Sequence, residues 1–317
     1  MHQGPIFVTG ISRSGKSLLS RLLGLHPNIA THNNEFRMWP RFYGKYGDLS
    51  QPANFERCLT AMLSYNNIRS FINDDADYIR RKFWEGEPTY GRLFALFFEY
   101  YTQHSGKLRW GDQSQKIERY VDAIFKNYPT AKIIHVIRDP RDRCISSREA
   151  VRRQWGREKD LGELHRHISG WLRSVYLAER NQKRYPDSYK IVRYETLVSQ
   201  PEETLHDVCA FLGEADIPMP LLMKGLTGFR DDSGKSKYEN LSMAYIGRFR
   251  EVMSGHEIAF MQIQAKQAMV AYNYDLEPVQ LSLKDYLLFY FIDWPIHLAR
   301  KGQHSVKSLF SEDITED

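Results

Sequence analysis

The sequence is poor in cysteine and lacks internal repeats, low-complexity segments and an apolar leader. Its three cysteines, Cys58, Cys144 and Cys209, have no metal-binding or redox spacing. This argues against a disulfide-stabilised secreted fold and favours reduced, mostly buried thiols in the cytosol. We expect no signal for secretion or import, since the sequence shows no apolar leader and no arginine-rich transit segment.

A long apolar run without charges is also missing. The most apolar stretch, residues 281–298, is interrupted by Lys284, Asp285, Asp293 and Pro295, so we expect no transmembrane span. We expect its aromatic residues to pack on the domain, with interfacial membrane contact or a homodimer face as alternatives.

The chain contains enough apolar residues for a large α/β core. Hydrophobic residues make up 42% of the 317 residues, which predicts a single domain over residues 1–317. Within it we expect a helical insertion at residues 38–107 and a C-terminal extension at residues 276–317. The net charge of +5 favours anionic ligands. Acidic residues are scattered among the basic ones, so no nucleic-acid partner is expected.

The first motif is a strand, a glycine-rich loop and a helix near the start of the chain. A short apolar run over residues 5–9 opens into Gly10-x-x-x-x-Gly15-Lys16-Ser17, which fits the P-loop pattern. Glycines let backbone N–H groups approach an anion, and the start of the helix adds positive potential. Arg13 and Lys16 supply full charges. We predict a phosphate-binding loop; a tight strand-to-helix turn with incidental basic residues is the alternative.

A second anion site is predicted at the end of another strand. The apolar run 132–137 is typical of a buried strand and is followed by Arg138, Asp139 and Pro140. Asp139 is a candidate N-cap, and Pro140 fits the first turn of the next helix. Arg138 would lie at the carboxyl end of the strand, where open α/β sheets bind ligands. Ser146, two turns into the helix, would converge with Arg138 on a phosphate monoester.

These motifs resemble the donor site of the sulfotransferase family. Residues 13–19 resemble the loop that binds the 5′-phosphosulfate of PAPS (3′-phosphoadenosine 5′-phosphosulfate) in that family, and Arg138 with Ser146 resembles its 3′-phosphate site. Residues 25–29 are similar to the tyrosylprotein sulfotransferases and related bacterial members. Residues 192–213 and 246–251 resemble later family segments. The resemblance implies a P-loop-like, three-layer α/β domain, with a mostly parallel sheet and helices on both faces.

The resemblance also implies an activity. The enzyme would transfer a sulfuryl group from PAPS to an acceptor hydroxyl or amine by in-line displacement, releasing PAP and requiring no metal. Lys16 departs from the family, which more often has Thr there, whereas a nucleotide kinase has Lys. Gln113 stands where some members carry a Lys that assists the transition state, so charge stabilisation would fall to Arg13 and Lys16. The expected donor-binding residues are Arg13, Ser14, Gly15, Lys16, Ser17, Arg138, Ser146, Lys237 and Arg248.

Glu35 is the expected general base. It precedes an x-Arg pair shortly after the first helix, as the catalytic Glu does in the tyrosylprotein-like branch. A carboxylate that is partly desolvated beside a bound anion should have a raised pKa, which suits a base. An ordinary surface ion pair with Arg37 is the alternative, and His32 is the fallback base. Asp112 is expected to hold one of the loop cations or to cap a helix near Ser114.

A P-loop kinase or nucleotide hydrolase acting on ATP or GTP is the main alternative function. The strand that ends at Asp139 can pass for a magnesium-binding strand, as such enzymes require. The crowding of Asp139 by arginines argues against this interpretation, because magnesium sites favour carboxylates and water. The pair Arg138 and Ser146 discriminates between the two, since a nucleotide hydrolase has no obvious use for it.

The acceptor is not defined by the sequence. Small molecules, carbohydrates, lipids and peptides are all compatible with the aromatic and basic residues of 38–107, a region expected to help form the acceptor pocket. Residues 225–240 resemble the family segment that closes over the donor, and Lys237 is their candidate phosphate ligand. Golgi members of the family carry an N-terminal membrane span, so its absence here implies a bacterial, cytoplasmic enzyme.

Overall fold

The computed structural model describes residues 4–156, 163–222, 243–295 and 298. The chain groups into two compact units. The first consists of residues 1–137 and 177–243, and the second of residues 138–176 and 244–317. All strands of the described sheet belong to the first unit. The expectation of a single domain with an insertion and a C-terminal extension stays a prediction.

The first unit is built on a parallel sheet of five strands in the order β2-β3-β1-β4-β5. Every residue of β1 is buried, and so are most residues of β4, as expected for central strands covered on both faces. Both strands were predicted from their apolar runs. The strands are β1 (Ile6–Thr9), β2 (Ile29–Thr31), β3 (Arg109–Gln113), β4 (Lys132–Ile137) and β5 (Tyr189–Arg193).

The strand order explains why helices cover both faces of the sheet. From β1 the chain crosses toward one edge of the sheet to form β2. From β3 it crosses toward the opposite edge to form β4. Because parallel crossovers are right-handed, the two connections lie on opposite faces. The direction in which the chain adds strands to the sheet reverses between β1 and β4. Such a reversal leaves a crevice at the carboxyl ends of the strands. The predicted three-layer, mostly parallel α/β fold is confirmed.

Helices make up most of the remaining described chain, including residues 38–107 as expected. In chain order they are α1 (Lys16–Leu23), α2 (Met38–Phe42), α3 (Pro52–Leu63), α4 (Asn66–Arg69), α5 (Ala76–Phe83), α6 (Tyr90–Ser105), α7 (Val121–Asn127), α8 (Pro140–Trp155), α9 (Glu163–Arg184), α10 (Tyr194–Ser199), α11 (Pro201–Leu212), α12 (Phe249–Val252), α13 (Gly255–Ala271) and α14 (Leu283–Leu288). Short 3-10 turns occupy Ser70–Ile72, Ile117–Arg119 and Met243–Tyr245.

Aromatic packing joins the helical region to the sheet within the first unit. Phe98 of α6 stacks on Trp110 of β3, with ring centroids 4.7 Å apart and planes 10° from parallel. The ring of Phe7 in β1 lies nearly perpendicular to the same Trp110 ring, with centroids 5.6 Å apart. These rings are buried, and burial of large aromatic side chains is a major source of core stability.

The second unit contains α8, α12, α13, α14 and most of α9. The segment that follows Ser282 forms α14 and one π-helical turn, Phe289–Asp293. Phe289 is buried and packs against Phe260 of α13 at 6.1 Å, while Leu283, Leu287 and Phe291 are exposed. No helix among the described residues combines the length and hydropathy needed to cross a bilayer.

Candidate active site

The predicted phosphate loop has a backbone that requires its glycines. Gly10 and Gly15 have φ values of +140° and +103°, in the left-handed region. A Cβ atom at Gly10 would lie 2.5 Å from the carbonyl oxygen of Val136, and one at Gly15 would lie 2.4 Å from the ring of Tyr194. Arg13 also has a positive φ of 69°, which is unusual for a residue with a side chain and is found more often at functional sites.

Ser14 is buried in this loop, and its hydroxyl has no hydrogen-bond partner among the described residues. Buried hydroxyls nearly always have a partner, so this group points to a ligand. The helix α1 begins directly afterwards at Lys16, and no side chain caps its N-terminus. The N–H of Leu18 already bonds the carbonyl oxygen of Gly15 at 3.0 Å, which leaves the N–H groups of Lys16 and Ser17 as the ones that lack a capping side chain. This hydroxyl and the helix start fit an anion such as phosphate.

Lys16 connects the phosphate loop to the predicted base. Its side chain is only 5% exposed, and its Nζ donates a hydrogen bond to Oε1 of Glu35. Burial lowers the pKa of Lys16, and the negative charge of Glu35 offsets part of this shift. The structure thus brings two of the predicted catalytic residues into direct contact.

The second carboxylate oxygen of Glu35 is also hydrogen-bonded. Oε2 accepts from Nη2 and Nε of Arg37 at 3.1 and 3.2 Å, and from Nε2 of Gln115 at 2.8 Å. Burial alone would raise the pKa of Glu35, but the charges and hydrogen bonds of Lys16 and Arg37 lower it below its usual value. This direction is opposite to the raised pKa expected beside a bound anion, because two neighbouring cations outweigh the desolvation of the carboxylate.

His32, the fallback base, is held by aromatic side chains. Its ring stacks on Phe36 at 5.3 Å and meets Phe71 and Tyr101 edge-on at 4.7 and 5.4 Å. Its Nδ1 accepts a hydrogen bond from the backbone N–H of Asn34 at 3.0 Å, and burial lowers its pKa. These contacts give His32 a structural role in the loop that carries Glu35.

The end of β3 contacts this loop on both sides of Glu35. Nε2 of Gln113 donates to the carbonyl oxygens of His32 and Asn33, at 3.1 and 2.8 Å. The hydroxyl oxygen of Ser114 accepts from the backbone N–H of Arg37 at 3.1 Å. Gln113 therefore anchors the loop that carries the predicted base.

Asp112 does not have either of its expected roles. Its Oδ1 accepts a hydrogen bond from the Ser114 hydroxyl at 2.9 Å, and no helix begins at Ser114. Its Oδ2 is buried without a partner among the described residues, and burial raises the pKa of Asp112 to about 7. The carboxyl group hydrogen-bonds within its own strand end, and Lys16 acts on it through its charge alone, which lowers the pKa of Asp112 slightly against the effect of burial.

Sequence reasoning missed Gln115, which contacts Glu35 directly. A signal for it was present, because Gln113, Ser114 and Gln115 form a polar run at the carboxyl end of a strand parallel to β1. In such sheets this edge carries the ligand-binding residues.

The second unit begins with Arg138, the residue directly after β4. Arg138 is 7% exposed, and its Nη2 donates to the carbonyl oxygen of Tyr245 at 3.0 Å. Its own carbonyl oxygen accepts from Nε1 of Trp171 at 2.8 Å. Ser146 is half-buried in α8, and its convergence with Arg138 on one phosphate stays a prediction. Lys237 lies outside the described residues.

Asp139 caps α8, as its position before Pro140 predicts. Its Oδ1 accepts from the backbone N–H and the Nε of Arg141 at 2.8 and 3.0 Å, and its Oδ2 accepts from Nη2 of Arg141 at 2.7 Å. Both carboxylate oxygens therefore hold one buried guanidinium. This arrangement opposes a magnesium site, which would need those oxygens for the metal.

The loop 246–251 is ordered by acidic side chains of α8. The carboxylate of Asp142 accepts from the backbone N–H groups of Gly247 and Phe249 at 2.6 and 2.9 Å. Nη2 of Arg248 forms an ion pair with Oε1 of Glu149 at 2.6 Å. The helix that carries Ser146 thus also positions Arg248, whose phosphate contact stays a prediction.

A cysteine-containing cluster in the second unit is an ion-pair network. Ligand atoms of Cys144, Glu163 and His167 lie within 4.8 Å of one another. However, Arg148 donates to Glu163 at 3.2 Å, and Nη2 of Arg143 lies 2.6 Å from Nδ1 of His167. Burial raises the pKa of Cys144 to about 11, so its thiol is neutral. All three cysteines of the chain are buried and free, as expected.

The fold and the loop after β1 define an α/β protein of the P-loop-like class. A family model described as the sulfotransferase family matches residues 5–218, which is more than half of the 317-residue chain. The chain belongs to the sulfotransferase family. The match includes the phosphate loop, Glu35, Arg138 and Ser146. No curated protein sequence matches the chain.

Solved structures with the same fold include several sulfotransferases. The sulfotransferase domain of a Synechococcus olefin synthase is 19% identical, with a TM-score of 0.59 over 87% of this chain and 98% of that domain. A sulfotransferase domain of the curacin biosynthetic pathway is 17% identical, with a TM-score of 0.55 over 86% and 99% of the two chains. A mouse sulfotransferase complexed with PAP is 12% identical, with a TM-score of 0.50 over 85% and 86%. At these identities the similarity shows the fold, and the tyrosylprotein-like branch stays a prediction.

Proposed function

We propose that the protein transfers a sulfuryl group from PAPS to an acceptor hydroxyl or amine by in-line displacement. The observation that carries the proposal is the contact between Lys16 of the phosphate loop and the carboxylate of Glu35. Sulfuryl transfer needs charge stabilisation on the leaving phosphate and a base beside the nucleophile. A phosphate-loop cation touching a carboxylate supplies both groups at one place.

The phosphate loop fits the 5′-phosphosulfate end of the donor. The partnerless Ser14 hydroxyl and the backbone kept open at Gly10 and Gly15 support this fit. PAPS, when bound, supplies an activated sulfuryl group with a phosphate as leaving group. The structurally similar mouse sulfotransferase is complexed with PAP, which supports the same donor here. The residues proposed to hold this end are Arg13, Ser14, Gly15, Lys16 and Ser17.

The residues proposed for the 3′-phosphate are Arg138, Ser146, Arg248 and Lys237. Arg138 is a buried guanidinium directly after a parallel strand, and such cations form strong, directional hydrogen bonds with phosphate. Asp142 orders the loop of Arg248 through two backbone N–H groups, which supports a defined position for that side chain.

Glu35 is proposed as the base that takes the acceptor proton. Its lowered pKa keeps the carboxylate ionised at neutral pH, so it is ready to accept a proton. The same cations limit its proton affinity. An anion that draws Lys16 away from Glu35 raises the pKa of the carboxylate, so donor binding would strengthen the base.

A P-loop kinase or nucleotide hydrolase is supported by the P-loop pattern that includes Lys16. Asp139, which would bind its magnesium ion, has both carboxylate oxygens on Arg141. The sulfotransferase proposal explains Lys16 through its contact with Glu35 and leaves Asp139 its role as a helix cap.

The proposal extends to the acceptor and the cellular setting. Small-molecule, carbohydrate, lipid and peptide hydroxyls are the acceptor classes to screen. A reducing compartment such as the bacterial cytoplasm agrees with three buried, free cysteines. The exposed side chains of Leu283, Leu287 and Phe291 are the proposed homodimer face.

A labelled-donor assay tests the proposal. The protein is incubated with ³⁵S-labelled PAPS and pools of the four acceptor classes, and labelled product and released PAP are measured. Glu35→Gln is expected to abolish turnover and to keep PAP binding. Glu85→Gln is the matched control, because Glu85 also pairs with a lysine, Lys82, but on the surface. Full turnover by Glu35→Gln would remove Glu35 as the base.

A further inference from the structure

We propose that Gln115 is a positioning residue for the general base Glu35 and that, together with Arg37, it occupies Oε2 and so directs the acceptor proton to Oε1. This inference rests on the proposed function, because it concerns the base of that reaction. Gln115 itself touches neither the donor nor the acceptor in this account.

The two oxygens of Glu35 have different surroundings. Oε2 receives three N–H groups, one from Gln115 at 2.8 Å and two from Arg37 at 3.1 and 3.2 Å. Oε1 contacts Lys16 among the described residues. A carboxylate oxygen accepts about two hydrogen bonds through its lone pairs, so Oε2 has no capacity left. Oε1 is the oxygen that can take a proton when Lys16 turns to an anion.

The strand end that carries Gln115 is held firmly. The hydroxyl of Thr9, the last residue of β1, lies 3.2 Å from the Ser114 carbonyl oxygen. The side chain of Gln113 is nearly fully buried and bonds two carbonyl groups of the Glu35 loop. The Gln115 amide therefore projects from a segment fixed to β1 and to the loop, as a positioning group requires.

Gln115 differs from the other two partners of Glu35 because it is neutral. Lys16 and Arg37 stabilise the ionised carboxylate by charge, whereas the Gln115 amide stabilises it by one directed hydrogen bond. It can hold the plane of the carboxylate without adding a further positive charge beside the base. In the proton step, the acceptor O–H bond breaks, its electron pair stays on the acceptor oxygen, and the proton forms a bond with Oε1.

The test compares Gln115→Met, which keeps the side-chain length and removes the N–H donor, with wild type. Carbon-13 NMR of labelled glutamate follows the Glu35 carboxyl in the free protein, with Glu35→Gln identifying the resonance. Loss of a hydrogen bond to the ionised carboxylate should raise the midpoint of the Glu35 pH titration by roughly one pH unit. The acid limb of kcat should move in the same direction, and kcat should fall about tenfold as the carboxylate loses its alignment. PAP affinity should stay at the wild-type value.

Two further variants keep the test decisive. Gln115→Asn retains the amide but is too short to reach Oε2, so it should show the same shift. Gln103→Met, at an exposed position of α6, is the control and should titrate like wild type. If either Gln115 variant showed the wild-type midpoint for the Glu35 titration and the wild-type acid limb in the pH profile of kcat, the inference would be overturned. Full turnover by Glu35→Gln would instead overturn the assignment of the base, so the two failures are distinguishable.

Discussion

Lys16 and Glu35 lie 19 residues apart in the chain and form a largely buried ion pair that joins the loop after β1 to the loop after β2. Each side chain depends on the other for its charge state. Burial favours neutral Lys16, and the carboxylate opposes that effect. Burial also favours neutral Glu35, and the cations reverse that effect. A ligand that binds Lys16 therefore changes the proton affinity of Glu35.

Replacing Lys16 should weaken donor binding and strengthen the base. In Lys16→Met the ionised form of Glu35 loses a cation, so the pKa of Glu35 rises. Loss of a charge-assisted hydrogen bond should also weaken PAP binding by at least about tenfold. Calorimetry with PAP and an NMR titration of Glu35 measure the two effects. Lys82→Met, which breaks the exposed pair with Glu85, should change neither. An unshifted Glu35 in Lys16→Met would contradict the coupling.

Removing Arg138 should affect only donors that carry a 3′-phosphate. Arg138→Ala is expected to weaken PAP binding by about tenfold or more, since a buried guanidinium bound to phosphate contributes roughly 1.5–3 kcal/mol. Binding of adenosine 5′-phosphosulfate, which lacks the 3′-phosphate, should change little. Competition calorimetry with both ligands measures the ratio of the two affinities in wild type and in the variant. Arg153→Ala, at an exposed position of α8, is the control. Equal losses for both ligands would remove Arg138 from the 3′-phosphate site.

Neutralising Asp142 should loosen the loop that carries Arg248. In Asp142→Asn one of the two backbone N–H groups, of Gly247 or Phe249, loses its carboxylate acceptor. Each such hydrogen bond to a charged group contributes about 1.5–3 kcal/mol, so the amide that loses its acceptor should exchange hydrogen faster. Hydrogen exchange followed by NMR measures this locally. Unchanged exchange at both amides would show that Asp142 does not order the loop.

The buried carboxyl of Asp112 predicts a pH dependence of stability. Burial raises its pKa from 3.8 to about 7 in the folded protein. The folded state therefore holds a proton that the unfolded state releases, and the stabilisation is complete below about pH 4. It is lost progressively as the pH rises through 7. Urea unfolding at several pH values should show a free energy of unfolding that falls between about pH 4 and pH 7 in wild type. In Asp112→Asn the free energy of unfolding should depend less on pH. Identical slopes would contradict the raised pKa.

Local patterns in the sequence predicted the parts of the fold that depend on neighbours along the chain. The apolar runs gave β1 and β4, because short buried strands need little beyond their own composition. Asp139 and Pro140 predicted the start of α8 for the same reason, since a cap acts within one helical turn. The turn at Gly10 and Gly15 was likewise predicted from adjacent residues, and both glycines have positive φ values.

The electrostatics of the site depended on contacts that the sequence does not display. Gln115 lies 80 residues from Glu35, and the parallel pairing of β2 with β3 joins the strands that lead to them. Lys16 was expected to face an anion, yet it also bonds Glu35, which reversed the predicted direction of the pKa shift. The charge state of a side chain depends on its neighbours in three dimensions. Residue type and spacing could therefore identify Glu35 as a candidate base, but they could not predict its proton affinity.

Isothermal titration calorimetry with PAP and with magnesium–ATP distinguishes a sulfotransferase donor site from the site of a kinase or nucleotide hydrolase. We expect tight binding of PAP without metal and weak binding of ATP, because the proposed site binds a 3′-phosphate as well as a 5′-phosphate. A preference for magnesium–ATP would contradict the account. It would make the protein a kinase or nucleotide hydrolase, with Lys16 and Asp139 as its central residues.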